Sequence, residues 1–189
     1  MTTPDPETPG IKDLLDIDII VRDARWEAAV DDVVGICRES ARAAFAAGVS
    51  RPLSAEAALV LADDEFVAAL NKQYRDRDGA TNVLSFAATD SDGPSINTGQ
   101  PALDGAPVML GDIIVARETT EREAGESGIN LEDHLRHLVV HGMLHLLGYD
   151  HMTDDEASEM EPLETQILGA MNVADPYGGT AGCPEETRP

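Results

Sequence analysis

Residues 131–151 read LEDHLRHLVVHGMLHLLGYDH, and all five histidines of the chain fall inside this stretch, between His134 and His151. From Leu131 to Leu147 the spacing predicts a helix, and its second half is apolar on almost every side, the mark of a buried helix. At about 100° per residue, His134, His137, His141 and His145 share one face of it. A lone histidine on an apolar helix is ordinarily a core residue with a satisfied hydrogen bond. Two at i, i+4 can instead point their ring nitrogens at one ion, about 2.0–2.1 Å from each. Gly148 can adopt the left-handed conformation that ends a helix and turns the chain back, which brings His151 into reach as a third ligand. The competing set His137, His141 and His145 lies along three turns of a straight helix, a line rather than a point. The expected ligands are therefore His141, His145 and His151, with His134 and His137 behind them or at the surface.

Three neutral imidazoles suit Zn²⁺ first, with Ni²⁺, Cu²⁺ or Fe²⁺ compatible by ligand type. Three protein ligands leave one position open, as at a catalytic rather than a structural zinc. Such a site makes water nucleophilic near neutral pH, so hydrolysis is the expected reaction class. In the HExxH pattern of zinc peptidases a glutamate follows the first histidine as general base. Here Gly142 stands at that position. Asp150 could act as a base or hold a ligand, or simply shape a tight turn.

Outward from this helix, strands alternate with helices. Ile17–Val21 is a short β-rich run, and residues 24–47 carry Val30, Val33, Val34, Cys37, Ala41 and Phe45 at helical spacing, stopping at Gly48. Residues 57–62 form a second strand, after which Asp63 or Asp64 caps a helix bearing Phe66, Leu70 and Tyr74. Val83–Ala87 and Val108–Ala116 are the third and fourth strands. Residues 118–126 read as a polar surface helix. Thr153 with Glu156 forms a capping box that opens a last helix, whose inner face holds Leu163, Ile167 and Leu168. Pro162 should kink or split it. Between the last two strands, residues 89–106 are rich in Gly and Pro and too polar to pack, so a mobile surface loop is expected there. Residues 1–13 and 173–189 read as tails flanking a single domain at 14–172.

Composition narrows the function further. Thirteen Lys and Arg against 36 Asp and Glu give a formal net charge of −23. Loose attraction to phosphate backbones or anionic lipid is disfavoured, so any nucleic-acid role must rest on a local cluster. Aromatic residues are few, with no aromatic-rich RNA-binding signature. Cys37 and Cys183, far apart, form neither a disulfide framework nor a CxxC pair. With no leader-like N-terminus and no membrane-length apolar run, a cytoplasmic protein is expected.

The block HGMLHLLGYDH, together with NKQYRDRDGATNVLSF from Asn71 and LGDI from Leu110, resembles the YbeY family of bacterial endoribonucleases and rRNA maturation factors. The resemblance runs from about Ile17 to Met171. It implies an α/β (α+β) fold in which a small mixed four-stranded sheet packs against helices and a central helix carries two metal ligands. It also implies a zincin-like metal hydrolase holding one Zn²⁺ per chain through the HxxxHxxxxxH motif at His141, His145 and His151. The functional arginine of the family's YR block falls on Arg75, and Ser85 falls on the strand expected beside the site. A guanidinium fits a pair of phosphate oxygens, and Lys72 and Arg77 could add weaker phosphate contacts. The implied role is cleavage of single-stranded RNA in small-subunit rRNA maturation and ribosome quality control. The implied partners are RNA, the ribosomal small subunit and assembly factors, with neither DNA nor membrane. Two other readings are compatible with the residues: a metal-dependent peptidase or amidase, and a non-catalytic ribosome-assembly factor whose zinc is structural.

Overall fold

In the computed structural model, residues 10, 14–88 and 106–178 are described. The expected loop at 89–106, save its last residue, and most of both expected tails lie outside those residues. Four strands, β1 (Leu15–Val21), β2 (Ala55–Ala62), β3 (Val83–Ala87) and β4 (Val108–Ala116), form one sheet in the order β1-β2-β4-β3. β1 runs parallel to β2 and β2 to β4, whereas β3 pairs antiparallel with β4 and forms an edge. The sheet is thus mixed and four-stranded, as the family resemblance implied.

Alternation along the strands sorts the helices into two layers. Ala57, Leu59 and Leu61 of β2 and Ile113 and Val115 of β4 face the larger core, shared with α2 (Val33–Gly48), α5 (Leu131–Leu146) and α6 (Asp154–Ala170). Their neighbours Ala62, Ile114 and Ala116 face a smaller core on the other side, with Val67, Phe66 and Leu70 of α3 (Asp64–Arg75). On β3 the division reaches single residues. Leu84 and Phe86 belong to the α3 side, while Ser85 donates its hydroxyl to the Gly142 carbonyl of α5 at 3.4 Å.

Local chemistry fixes the boundaries. Asp63 caps α3 by accepting from the Phe66 N–H at 3.0 Å. The Thr153–Glu156 capping box is complete. The helix expected over residues 24–47 is two helices, α1 (Arg25–Ala29) and α2. Val30 is extended, and Asp32, left-handed at φ 46°, restarts the helix by capping the Gly35 N–H. A carboxylate competes well for the first free N–H groups of a helix, so the Asp31-Asp32 pair interrupts an otherwise continuous apolar stripe. Pro162 does not split α6, which continues as one helix from Asp154 to Ala170. Pro162 and Ser158 are both exposed, so the carbonyl that loses its helical partner lies on the side where water can reach it.

The helix α4 (Arg117–Ser127) is less superficial than its polarity suggests. Arg117, Thr119, Thr120 and Ala124 are buried. Arg117 donates to Asp23, Glu118 and Glu121 at 2.6–2.7 Å. The chain also stays attached beyond residue 172: the Val173 N–H bonds the Leu168 carbonyl, and Thr165 donates to Asp175. Cys37 is a free, fully buried thiol in the main core, and burial pushes it up to about 12. No helix among the described residues is long and apolar enough to cross a membrane.

Candidate metal centre

Helix α5 delivers two of the three expected ligands, and the turn after it delivers the third. Gly148 takes φ 90°, the left-handed conformation expected of it, and closes α5 with its N–H on the His145 carbonyl. The chain then doubles back through Asp150, whose carboxylate accepts from the His151 N–H at 2.8 Å and so shapes the turn. As a result, His141, His145 and His151 place one ring nitrogen each within 4.8 Å of one another. The alternative set along the helix, His137, His141 and His145, does not bring three ring nitrogens together in this way.

The tautomers follow from the partners. His145 Nδ1 lies 3.0 Å from the Tyr149 carbonyl, which can only accept, so Nδ1 carries the proton. His141 Nδ1 lies 3.2 Å from Glu164 Oε1. With Nδ1 of each ring turned to an acceptor, the Nε2 atoms are the ones left to ligate, and they face each other at 3.0 Å. Nitrogens bound to one tetrahedral zinc sit ~3.3 Å apart, close to this separation. Burial, then the rings of His141 and His151, push His145 down to about 4, which keeps its Nε2 free to ligate. The donor set therefore fits a metal ion.

Sequence reasoning missed Glu164. It is fully buried on α6, with His137 and His141 both at 3.2 Å from Oε1 and the Tyr177 hydroxyl donating to Oε2 at 2.5 Å. Burial alone would raise its carboxyl, but the contacts from His137 and His141 outweigh that and hold it well below the usual carboxylate range. An ionised carboxylate behind a ligand imidazole fixes the ring and raises its basicity. The signal was there: Met160, Glu164, Ile167 and Leu168 are the buried residues of α6, spaced i, i+4, i+7, i+8, with an acid at an apolar position. His137, His141 and Glu164 also form a second group able to hold a metal, but it uses the Nδ1 side of His141 and leaves the facing Nε2 pair unexplained.

His134 is buried. It binds Glu123 at 3.1 Å, and Glu123 in turn accepts from Asn82 at the start of β3, so this histidine ties α5 to α4 and the edge strand. Gly142 explains why no glutamate follows His141. A Cβ there would come within 2.9 Å of Ile113 Cγ2 and 3.1 Å of Ser85 Oγ. The position faces the sheet, which leaves no room for a base.

Arg75 stands apart from the histidines. It is the exposed last residue of α3, on the other layer of the sheet, and among the described residues no hydrogen bond or ion pair ties it to the triad. The two helices nonetheless flank β3 at the same level: Tyr74 of α3 meets Phe86, and Gly142 of α5 meets Ser85. Lys72, also exposed, is engaged by Asp76 and Asp78 at 3.0 and 3.3 Å.

Comparison with known proteins bears on this geometry. The family model described as Endoribonuclease YbeY matches residues 17–172. Among curated relatives, the Endoribonuclease YbeY of Rhodospirillum rubrum is 48% identical over 167 residues, covering 85% of this chain and 80% of its own. That of Paramagnetospirillum magneticum is 48% identical over 153 residues, covering 81% and 90%. That of Agrobacterium fabrum is 53% identical over 124 residues, covering 66% and 68%. A solution structure, TM1509 from Thermotoga maritima, aligns with a TM-score of 0.47 at 19% identity, covering 92% of this chain and 100% of that one.

Proposed function

This chain belongs to the YbeY endoribonuclease family, and from that membership we propose that it is a zinc-dependent, single-strand-specific endoribonuclease acting in the cytoplasm in small-subunit rRNA maturation and ribosome quality control. Its partners on this reading are rRNA precursors, the small subunit and assembly factors. One observation carries the chemistry: ring nitrogens of His141, His145 and His151 converge, with the Nε2 atoms of His141 and His145 facing each other at 3.0 Å.

His141, His145 and His151 would hold the metal. Bound zinc supplies a Lewis acid that acidifies water and polarises a phosphoryl oxygen. The protein's own residues do the rest. Glu164 keeps His141 in the ligating tautomer, and the Tyr149 carbonyl does the same for His145. The closely packed Gly142 leaves the peptidase position without its base, which disfavours peptide hydrolysis. Arg75, the exposed last residue of α3, would pair with a phosphate of a strand that crosses the β3 edge, where a planar fork would stabilise charge gained in the transition state.

The deciding experiment is metal analysis of the purified protein alongside cleavage assays on single-stranded and structured RNA, with a peptide panel as control. About one zinc per chain, and RNA cleavage lost on chelation and restored by zinc, are expected. Metal-loaded protein that leaves every RNA intact would overturn the reading.

A further inference from the structure

We propose that Tyr74 is a stacking platform for one unpaired base of single-stranded RNA, set on the opposite side of edge strand β3 from the histidine centre. This rests on the RNA-cleaving reading of that centre and adds a binding residue to it.

Tyr74 is 62% exposed. It is not loose, however. Its ring meets Phe86 edge to face, with centroids 5.2 Å apart and planes at 62°. Phe86 in turn packs on the smaller core with Phe66 and Leu70. One side of the tyrosine is thus braced while much of the ring remains open to solvent. Solitary exposed apolar residues are common and mean nothing by themselves. This one lies in a stretch, residues 72–78, that carries three cations against two acids in a chain of net charge −23. Asp76 and Asp78 engage Lys72. Arg75, the residue next to the platform, has no ion-pair partner among the described residues. An open aromatic face beside an uncommitted guanidinium is a pairing that suits a base and its phosphate.

The placement gives the platform a use. Ser85 points to Gly142 beside His141, and Phe86, its neighbour in the chain, points to Tyr74. A strand passing over the β3 edge would rest a base on Tyr74 and present its backbone to Arg75 and then to the histidines. Bases in a duplex are already stacked on one another and offer no free face, so the platform selects unpaired RNA.

Steady-state kinetics of the zinc-loaded enzyme on an unstructured RNA oligonucleotide test this. Tyr74→Ala and Tyr74→Leu should each raise KM about tenfold with kcat nearly constant, because loss of one base–aromatic stack acts on binding. Leucine keeps apolar contact with Phe86 and so separates stacking from packing. Tyr74→Phe should restore the parental KM. Tyr74→Trp should also restore it, and its fluorescence should be quenched by single-stranded RNA but not by the duplex of the same sequence. Parental KM in the Ala and Leu variants would overturn the proposal, as would a Phe variant as defective as Ala, which would assign the effect to the hydroxyl. If the parental enzyme, with its zinc, cleaves no RNA, the endoribonuclease reading has failed and this inference falls with it.

Discussion

His141 and His145 each use one ring nitrogen to fix what the other can do, and the groups that hold them, Glu164 and the Tyr149 carbonyl, come from different places in the chain. Replacing His141, His145 or His151 by alanine should abolish stoichiometric metal binding, read by elemental analysis. Unchanged stoichiometry in all three would mean that the metal is held elsewhere. Glu164→Gln should weaken metal affinity by about 10–100-fold while the fold persists, measured by chelator competition. Arg75 belongs to a different part of the chemistry. Arg75→Ala should retain its metal and lose on the order of 10²–10³-fold in cleavage, and Arg75→Lys should recover only part, since an ammonium keeps the charge without the planar fork. Parental cleavage in a metal-replete Arg75→Ala would make this arginine an ordinary surface charge.

Helix α5 must lie close to the sheet to bring His141 beside the β3 edge, and Gly142 makes that approach possible. Gly142→Ala places a methyl against Ile113 and Ser85 and should destabilise by about 1–3 kcal/mol, seen as a lower denaturation midpoint. Gly125 is the matching control. It lies in α4 with nothing within 4 Å of a Cβ, so Gly125→Ala should stabilise by about 0.5–1 kcal/mol through helix propensity alone. If both substitutions shift stability the same way, close packing at residue 142 is not what the glycine provides. The edge strand serves both layers because successive side chains alternate: Ser85 is committed to α5 and Phe86 to α3.

Across the whole molecule, an ionic cluster ties together the ends of β1, β2 and β4. Buried Arg117 joins Asp23, Glu118 and Glu121, while Arg25 adds contacts to Asp23 and Glu118. The Arg25 hydrogen bond, opposed by burial and reinforced by Arg117, holds the Asp23 carboxyl well below the usual carboxylate range. A carboxyl depressed in the folded state contributes stability that is full above its unfolded value, about 3.9, and is lost as pH falls below that towards the folded value. Asp23→Asn should therefore lower the melting temperature at pH 7, with the gap to the parent narrowing as pH drops below about 4. A gap that stays constant down to pH 3 would show that the charge of Asp23 is not what matters. The remaining acidic surplus is spread over a surface with few cations, so local sites such as residues 72–78 have to carry any attraction for phosphate.

Legible in the residues alone were the strand order, the bounds of β3 and β4, the cap at Thr153, a cap for α3 at Asp63 or Asp64, and the convergence of His141, His145 and His151. Each depends on periodicity or on a few neighbouring residues, and i, i+4 spacing with a glycine turn is local geometry. Other features came into view with the folded chain. Glu164 lies 23 residues from His141, and nothing local marks it beyond an acid in an apolar stripe. The break at Asp32 is local, a cap outcompeting the helix that the apolar stripe concealed, whereas α6 passes unbroken through Pro162 because that residue faces water. The pairing of Tyr74 with Phe86 also escaped a count of aromatic residues, because a sparse composition does not reveal that two of them meet at the sheet edge. Contacts between distant segments depend on which faces the sheet turns towards each helix, and only packing of the whole chain settles that.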